Sequence, residues 1–225
     1  MRAARNGVQA RTPPAPLGVV LTTHAQSQNA AAIVRFLTVR AVRVLVVVAG
    51  AASNSSMFDG ATTWHVPYNN FDSTGLMAVY ESPGEARKAV GEAFFYLHDT
   101  VHLNDTFVRR LSRTEPSMCA LRRYPSMNMG VYTVDSVHRH GEKLYTARSP
   151  PFPSSPADLQ RLKGQAVRQE DAIFRAARCT CFLSPPPVVT YPRGSSRRRD
   201  HFAEWGIDKM KANWKKSRVW TLSTE

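Results

Sequence analysis

Acidic residues are absent from the first 58 positions of this 225-residue chain, and those positions hold six arginines. The whole chain carries 30 Lys and Arg against 17 Asp and Glu, which gives a formal net charge of +13. A field of that sign attracts phosphates, in nucleic acids, nucleotides or anionic membranes, and says little about the fold. The charge therefore favours anionic partners.

Cysteine is scarce as well, because Cys119, Cys179 and Cys181 are the only three in the chain. An odd and small number of cysteines does not indicate a disulfide framework. The Cys179-Thr180-Cys181 pair has no second pair nearby at the spacing of zinc ligands. We therefore expect structural thiols.

Long apolar runs and targeting signals are also missing. The longest clean apolar run, residues 44–52, is much shorter than the ~20 residues that a membrane-spanning helix needs. No hydrophobic stretch directly follows the amino-terminal arginines, as a signal peptide requires. We therefore predict no transmembrane segment and favour a soluble, cytoplasmic protein.

Several motifs that identify common enzymes and RNA-binding modules do not occur. The chain has no G-x-G-x-x-G or phosphate-loop pattern, and no G-x-S-x-G elbow for a serine nucleophile. It also lacks the RNP1 pattern and the GXXG clamp of RNA-binding folds. Function has to be argued from the polar residues that end the predicted strands.

The pattern of apolar residues predicts alternating strands and helices. A strand is expected at residues 18–22, then a helix that Ser27 or Asn29 caps and that runs to about Arg40, and then an apolar strand at 42–48. Strand, helix and apolar strand indicate a parallel βαβ unit. The sequence therefore predicts an α/β domain with a central sheet and flanking helices.

The rest of the chain continues this pattern up to a basic carboxyl-terminal segment. Residues 1–16 are predicted to be a disordered basic tail, residues 17–216 the domain, and residues 217–225 a carboxyl-terminal tail. Further strands are expected at 62–68, 93–97 and 127–133, with helices that start at Asp72 or Ser73 and others over 106–112, 134–140 and 157–179.

The apolar strand at 93–97 runs directly into His98 and Asp99. A buried carboxylate without partners is costly, so Asp99 must be capped, paired or metal-bound. Oxygen and imidazole ligands suit Mg²⁺ or Mn²⁺ that holds a diphosphate. The alternative, which the local sequence alone favours, is that Asp99 caps the loop before Asn104 while His98 is an ordinary core histidine.

Two further groups of polar residues are candidates for a ligand site. Thr22, Thr23 and His24 end the first strand, where parallel strands place ligand-binding loops. Near the carboxyl terminus, basic residues are interleaved with aromatic ones, a composition that suits single-stranded nucleic acid or one nucleotide diphosphate, the alternative being a solvated basic face. The basic residues are Arg193, Arg197, Arg198, Arg199, Lys209, Lys211, Lys215 and Lys216.

Four stretches, taken in order, resemble a poorly characterised group of glycosyltransferases with a GT-A-type, nucleotide-sugar-binding fold. They are VPYNNFDSTGL, FFYLHDTV with the DTFVRRL that follows, PSMNMGVY, and RRRDHFAEWGIDKMKANW. The resemblance covers roughly residues 17–216 and rests on order and spacing rather than on one motif. It implies a single Rossmann-like GT-A-type domain whose mixed, mostly parallel central sheet is flanked by helices.

The resemblance also implies roles for individual residues. The nucleotide base would lie near Thr22, Thr23 and His24. The metal motif would be YLHDT, with Asp99 and His98 binding Mn²⁺ or Mg²⁺, although it has one Asp where many such enzymes have D-x-D. The basic residues that would close over the diphosphate are Lys209 and Lys211, helped by Arg197, Arg198 and Arg199.

We therefore expect a glycosyltransferase that moves a sugar from a nucleotide-diphosphate donor to a glycan, lipid or protein acceptor. A metal and basic residues would stabilise the charge that grows on the departing diphosphate. An inverting enzyme also needs a base for the acceptor hydroxyl, and Asp72, Asp135 and Glu142 are candidates. Two alternatives remain: a basic nucleic-acid-binding protein of a ribonucleoprotein complex, and an inactive glycosyltransferase-like scaffold.

Overall fold

The computed structural model describes residues 16–24, 28–50, 58–123, 126–144, 156–184, 202–213 and 221–224. Its strands are β1 (Gly18–His24), β2 (Val44–Ala49), β3 (Thr62–Val66), β4 (Ala93–His98), β5 (Val101–Leu103), β6 (Cys119–Arg122), β7 (Gly130–Thr133), β8 (Phe182–Ser184), β9 (Ile207–Asn213) and β10 (Thr221–Thr224). Its α-helices are α1 (Gln28–Thr38), α2 (Thr74–Glu81), α3 (Pro83–Val90), α4 (Asp105–Leu111), α5 (Val134–His140), α6 (Pro156–Gln169) and α7 (Ala172–Ala176).

A seven-stranded sheet forms the centre of the molecule, in the order β3-β2-β1-β4-β7-β6-β8. Strands β1 to β4 are parallel to one another. Strand β7 is antiparallel to both of its neighbours, and β8 is parallel to β6. The predicted fold class is therefore confirmed: the chain is an α/β protein with one Rossmann-like domain and a mixed, mostly parallel sheet flanked by helices.

The hydrophobic core lies on both faces of this sheet, because successive side chains of a strand point to opposite faces. In β1, Val19 and Leu21 pack on the side that α1 and α4 cover, whereas Val20 packs on the side of α2, α3, α5 and α7. Strand β2 is buried at every position, as expected for a parallel strand covered on both faces.

The order of the strands reverses between β1 and β4. The chain passes from β1 outward to β2 and β3 and then returns to the other side of β1 as β4. In open α/β sheets, ligands bind outside the carboxyl ends of the strands at such a reversal. Here the two carboxyl ends are in register, with Thr22 opposite His98. The fold therefore brings the polar residues that end β1 and those that end β4 to the same edge of the sheet.

A second, three-stranded sheet in the order β10-β9-β5 begins just beyond that edge. Strand β5 follows β4 after only two residues, and β9 pairs antiparallel with β5 so that Lys209 lies opposite Val101. No strand is expected from the sequence in this basic segment. The pairing returns the carboxyl-terminal part of the chain to the end of β4.

The single helix predicted over residues 157–179 is wrong, because the structure has two helices there. Asp171 lies between α6 and α7 with a φ of 60°, in the left-handed region, where a helix cannot continue. The helical periodicity of the apolar residues persists across the break, so the pattern alone did not reveal it.

The expectation of structural thiols is wrong for two of the three cysteines. Cys119 and Cys181 form a disulfide, with their Cα atoms 4.7 Å apart, although 62 positions separate them in sequence. The parallel pairing of β6 with β8, which sets Ala120 opposite Phe182, brings the two cysteines side by side. The third cysteine, Cys179, keeps its thiol, which donates to the Met118 carbonyl over 3.4 Å.

Candidate functional site

Asp99 lies directly after β4 at the strand reversal and is 9% exposed. Its Oδ2 accepts a hydrogen bond of 2.7 Å from the Thr23 hydroxyl at the end of β1. Other residues hold the loop that follows: the Asn29 amide donates to the Asp99 and Val101 carbonyls, and the Asn104 side chain caps α4. The predicted capping role therefore falls to two asparagines, and the Asp99 carboxylate stays at the edge of the sheet.

His98 is buried, and both of its ring nitrogens have partners. Nε2 lies 2.9 Å from the Met127 carbonyl, and Nδ1 lies 3.1 Å from the Lys209 Nζ. An ammonium group can only donate, so Nδ1 accepts and the proton of the neutral ring is on Nε2. Burial lowers the pKa of His98, and the positive charge of Lys209 lowers it further. The imidazole is therefore a neutral bridge between the two groups.

Lys209 places a positive charge beside this edge of the sheet. Its Nζ donates to the Thr100 hydroxyl over 2.7 Å and to His98 Nδ1. The antiparallel pairing of β9 with β5 fixes the backbone from which the side chain extends. The Asp99 carboxylate and the two residues that the Lys209 ammonium group contacts, His98 and Thr100, are therefore consecutive in the chain at the end of β4.

Thr22 connects β1 to the start of α2 instead of facing an open site. Its Oγ1 accepts from the Gly75 N–H over 2.8 Å and lies 2.7 Å from the Tyr96 hydroxyl, which itself donates to the Asp72 carbonyl. A Cβ at Gly75 would collide with the Thr22 Oγ1 and would lie 2.9 Å from the Tyr96 ring. Only glycine therefore lets α2 approach the sheet this closely.

The turn at residues 126–128 supports His98 from the other side. Met127 and Asn128 both have left-handed φ values, 59° and 60°, which are uncommon outside glycine. The Asp171 carboxylate holds the turn by accepting from the Ser126 and Asn128 N–H groups, at 2.7 and 3.1 Å, and from the Ser126 hydroxyl. This conformation positions the Met127 carbonyl that His98 contacts.

Glu170 belongs to the same region and was not predicted. Its Oε1 is buried and has no hydrogen-bond partner among the described residues. Burial raises the pKa of Glu170, the charges of Asp171 and Asp72 raise it further, and a hydrogen bond from the Met127 backbone opposes the rise. The only sequence signal was the Glu170-Asp171 pair in a mostly basic stretch.

The candidate base Asp72 lies near this group, whereas Asp135 does not. The Asp72 carboxylate is close enough for its charge to raise the pKa of His98 and of Glu170. Asp135 is exposed in the first turn of α5, where Arg87 pairs with it. Because β7 is antiparallel, α5 starts beside Ala93, at the opposite end of β4 from Asp99.

Four other residues that were predicted for the site either lie elsewhere or have side chains outside the described part of the chain. The backbone of His24 ends β1 opposite Ala49, and that of Lys211 lies in β9 opposite Ser223, but both side chains are outside the described part of the chain. Arg197 lies wholly outside it. Glu142 is exposed and pairs with Lys143 at 3.3 Å.

Metal-ligand clusters and membrane-spanning helices are both absent from the described ranges. Within those ranges, no three His, Cys, Asp or Glu side chains converge as metal ligands. The helices that the structure describes include none with the length and apolar character to cross a membrane.

No protein-family model, curated protein sequence or solved structure matches the chain. The fold and the site together define its class: an α/β protein of Rossmann-like architecture, with a carboxylate and an ammonium group beside the strand reversal.

Proposed function

We propose that this protein is a glycosyltransferase that transfers a sugar from a nucleotide-diphosphate donor to a hydroxyl group of a glycan, lipid or protein. The observation that carries the proposal is that the Asp99 carboxylate lies between His98 and Thr100, the two residues that Lys209 contacts, at the reversal of strand order. A sugar nucleotide presents hydroxyl donors and phosphate anions next to each other. A carboxylate and an ammonium group are the two side chains that recognise them.

Each group has a defined part in the proposed reaction. Among the described residues, Thr23 donates one hydrogen bond to the Asp99 carboxylate, and the remaining acceptor capacity of this carboxylate binds a hydroxyl of the donor's sugar or ribose. Lys209 faces the diphosphate, whose negative charge grows as the bond to the sugar breaks. An interaction that strengthens as this charge grows lowers the barrier to the chemical step.

Glu170 is the proton acceptor of the proposal, in place of Asp135. The acceptor's oxygen forms a bond to the anomeric carbon, the bond to the phosphate oxygen breaks, and its electron pair leaves with the diphosphate. The proton of the attacking hydroxyl goes to Glu170, whose buried Oε1 has no partner within the described residues. The raised pKa makes this carboxylate a better base than an ordinary glutamate.

The expected divalent metal fits the described residues poorly. Asp99 supplies one carboxylate, both nitrogens of His98 have partners, and no metal-ligand cluster forms among the described side chains. Magnesium sites at phosphates do function with one or two carboxylates. The other ligand predicted from the sequence, His98, is nevertheless not available in this arrangement. The proposed reaction therefore has no step that depends on a metal.

Ligand-induced stabilisation tests the proposal directly. The full chain is melted with ADP, CDP, GDP and UDP and with their sugar conjugates, in EDTA and in MnCl₂. We expect at least one of them to raise the Tm, because a ligand at about 100 times its Kd stabilises the folded state by about 2.7 kcal/mol. If no nucleotide or sugar nucleotide shifts the Tm in either buffer, the proposal fails. A donor that shifts the Tm but is never transferred or hydrolysed would indicate an inactive scaffold.

The variant Glu170→Gln tests the assigned base. We expect sugar transfer or donor hydrolysis to fall by about 10²- to 10⁴-fold, the usual contribution of a general base. The Tm shift with the donor should stay unchanged, because Glu170 does not hold the diphosphate. Asp135→Asn is the matched control and should retain activity. Equal activity of wild type and Glu170→Gln would remove Glu170 from the mechanism.

Nucleic-acid binding is a second candidate, and one observation favours it. The guanidinium of Arg122 lies 4.6 Å from the ring centre of the half-buried Phe202. Basic groups beside aromatic rings are typical of surfaces that bind single strands. Such binding should weaken steeply with salt. Fluorescence anisotropy with single-stranded RNA at increasing salt would reject it if no salt-sensitive binding appears.

A further inference from the structure

The segment that was expected to hold a metal offers a single carboxylate. A second one, two residues away from Asp99, would have to replace Leu97 or Val101. Both are completely buried apolar residues of the core on the α1 side of the sheet. Asp99 itself is bound by Thr23. This segment therefore cannot form a two-carboxylate metal motif.

His98, the side chain that was expected to be the second metal ligand, contacts a cation instead. His98 presents Nδ1 to Lys209 at 3.1 Å and Nε2 to the Met127 carbonyl at 2.9 Å. A divalent ion at Nδ1 would have to displace the ammonium group or stand beside it. Like charges a few ångströms apart repel strongly, most of all where water is scarce.

Backbone pairing and a hydrogen bond fix the position of the Lys209 ammonium group. The backbone of Lys209 is paired opposite Val101, and its Nζ donates 2.7 Å to the Thr100 hydroxyl. The His98 ring also accepts from this ammonium group, with Nδ1 3.1 Å from Nζ. Within the described part of the chain, the Thr100 hydroxyl and the His98 ring thus orient this ammonium group at the end of β4.

We propose that Lys209, ordered by His98 and Thr100, binds the diphosphate of the donor in place of a divalent metal ion. This inference rests on the proposed function, because it assumes that the ligand is a nucleoside diphosphate or its sugar conjugate. Asp99 then binds hydroxyls and not a metal. The protein binds its donor in the absence of divalent cations.

Calorimetry in excess EDTA and in MnCl₂ tests this assignment. The probes are inorganic pyrophosphate and the nucleoside diphosphate that gives the largest thermal shift. We expect the Kd in the two buffers to agree within about threefold, since a metal that bridges protein and phosphate would change it by far more. This comparison of two buffers uses the wild-type protein. It can therefore overturn the inference even if every variant unfolds.

Three variants then assign the effect to Lys209. Lys209→Met removes the charge and should weaken binding of both probes by about 10- to 100-fold, as expected for a lost charge-assisted hydrogen bond. Lys209→Arg keeps the charge and should retain part of the affinity. Lys88→Met is the control, because Lys88 is exposed on α3 and pairs only with Glu85 there; it should bind like the wild type.

The outcomes separate this inference from the proposed function. Binding that requires MnCl₂, or Lys209→Met binding as tightly as wild type in EDTA, overturns the inference and leaves the glycosyltransferase proposal intact. No binding of any nucleotide or sugar nucleotide in either buffer overturns both. Metal-independent binding that the loss of Lys209 weakens supports the inference.

Discussion

Two buried aspartates of this molecule, Asp171 and Asp99, carry the same group in different surroundings. Asp171 is 1% exposed, and its carboxylate accepts three hydrogen bonds from Ser126 and Asn128. Asp99 is 9% exposed, and among the described side chains Thr23 alone donates to its carboxylate. Each lies where a regular element ends, Asp171 between α6 and α7 and Asp99 after β4.

The difference separates a structural carboxylate from one that is available to a ligand. Three donors, two of them backbone N–H groups, use most of the acceptor capacity of the Asp171 carboxylate. Removal of that side chain would leave the donors buried without partners. Asp99 retains acceptor capacity at the edge of the sheet where ligands bind. Burial alone would not have distinguished the two.

Asp171→Ala should have the largest effect on folding stability. We expect a loss of about 3–5 kcal/mol, because the substitution leaves the buried N–H groups of Ser126 and Asn128 unpaired. Urea denaturation gives the value. Asp171→Asn is the matched control, since asparagine tolerates the left-handed φ of 60° and keeps an acceptor oxygen; it should lose less. A loss below about 1 kcal/mol for the alanine variant would remove the structural role.

Gly75→Ala should have the next largest effect, on the Asp99 side of the comparison. The new methyl group would meet the Thr22 hydroxyl and the Tyr96 ring, so we expect a loss of about 1–3 kcal/mol from overpacking. Gly84→Ala is the control, because nothing lies within 4 Å of a Cβ at that position of α3. It should stabilise the protein by about 0.5–1 kcal/mol. Equal urea midpoints for the two variants would contradict the close approach of α2 to β1.

The sequence predicted the amino-terminal half of the fold well because that half follows simple rules. The strands and helices from β1 to β4 have apolar patterns of the expected period, and the predicted strand at residues 93–97 matches β4 (Ala93–His98). One element there, α3 (Pro83–Val90), was missed because its sequence is mostly small and polar. Strands β5, β6, β8, β9 and β10 were missed as well, β10 within the expected carboxyl-terminal tail, since these strands are short or basic and are defined by their pairing partners.

The site was predicted in part, for the same reason. Asp99, His98 and Lys209 were named because strand ends and charge are visible in a sequence. The state of His98 was not predictable, since it depends on Met127 and Lys209, which are distant in the chain. Glu170 lies within the single helix that was predicted over residues 157–179, so nothing marked it as a site residue. The left-handed conformation of Asp171, which breaks that helix, depends on the turn that its carboxylate binds.

Glu170→Gln should have a smaller effect on stability, one that depends on pH. Burial raises the pKa of Glu170, so the folded state holds this proton more tightly than the unfolded state. The resulting stability is present below the ordinary glutamate pKa of about 4.3 and is lost as the pH rises through the raised value. Glutamine has no such dependence, so the variant should gain stability relative to wild type as the pH rises.

Urea midpoints for Glu170→Gln and wild type, measured from about pH 4 to pH 8, check this sign. Glu142→Gln, at an exposed position of the neighbouring segment, is the matched control and should follow the wild-type curve. Parallel curves for Glu170→Gln and wild type would contradict a poorly solvated carboxylate at position 170.

Asp99→Asn should have the smallest effect on stability and the clearest effect on binding. The substitution keeps the size of the side chain and an oxygen for the Thr23 hydroxyl, so we expect the free energy of unfolding to change by less than about 1 kcal/mol. Affinity for a sugar nucleotide should fall by about tenfold or more, because an amide accepts hydroxyl protons less strongly than a carboxylate. Affinity for pyrophosphate should hold or rise, because a negative charge near Lys209 is lost.

Asp208→Asn, an exposed change beside Lys209, is the control that separates this result from a general charge effect. Equal losses of sugar-nucleotide affinity in both variants, or a loss of stability like that of Asp171→Ala, would erase the distinction between the two aspartates.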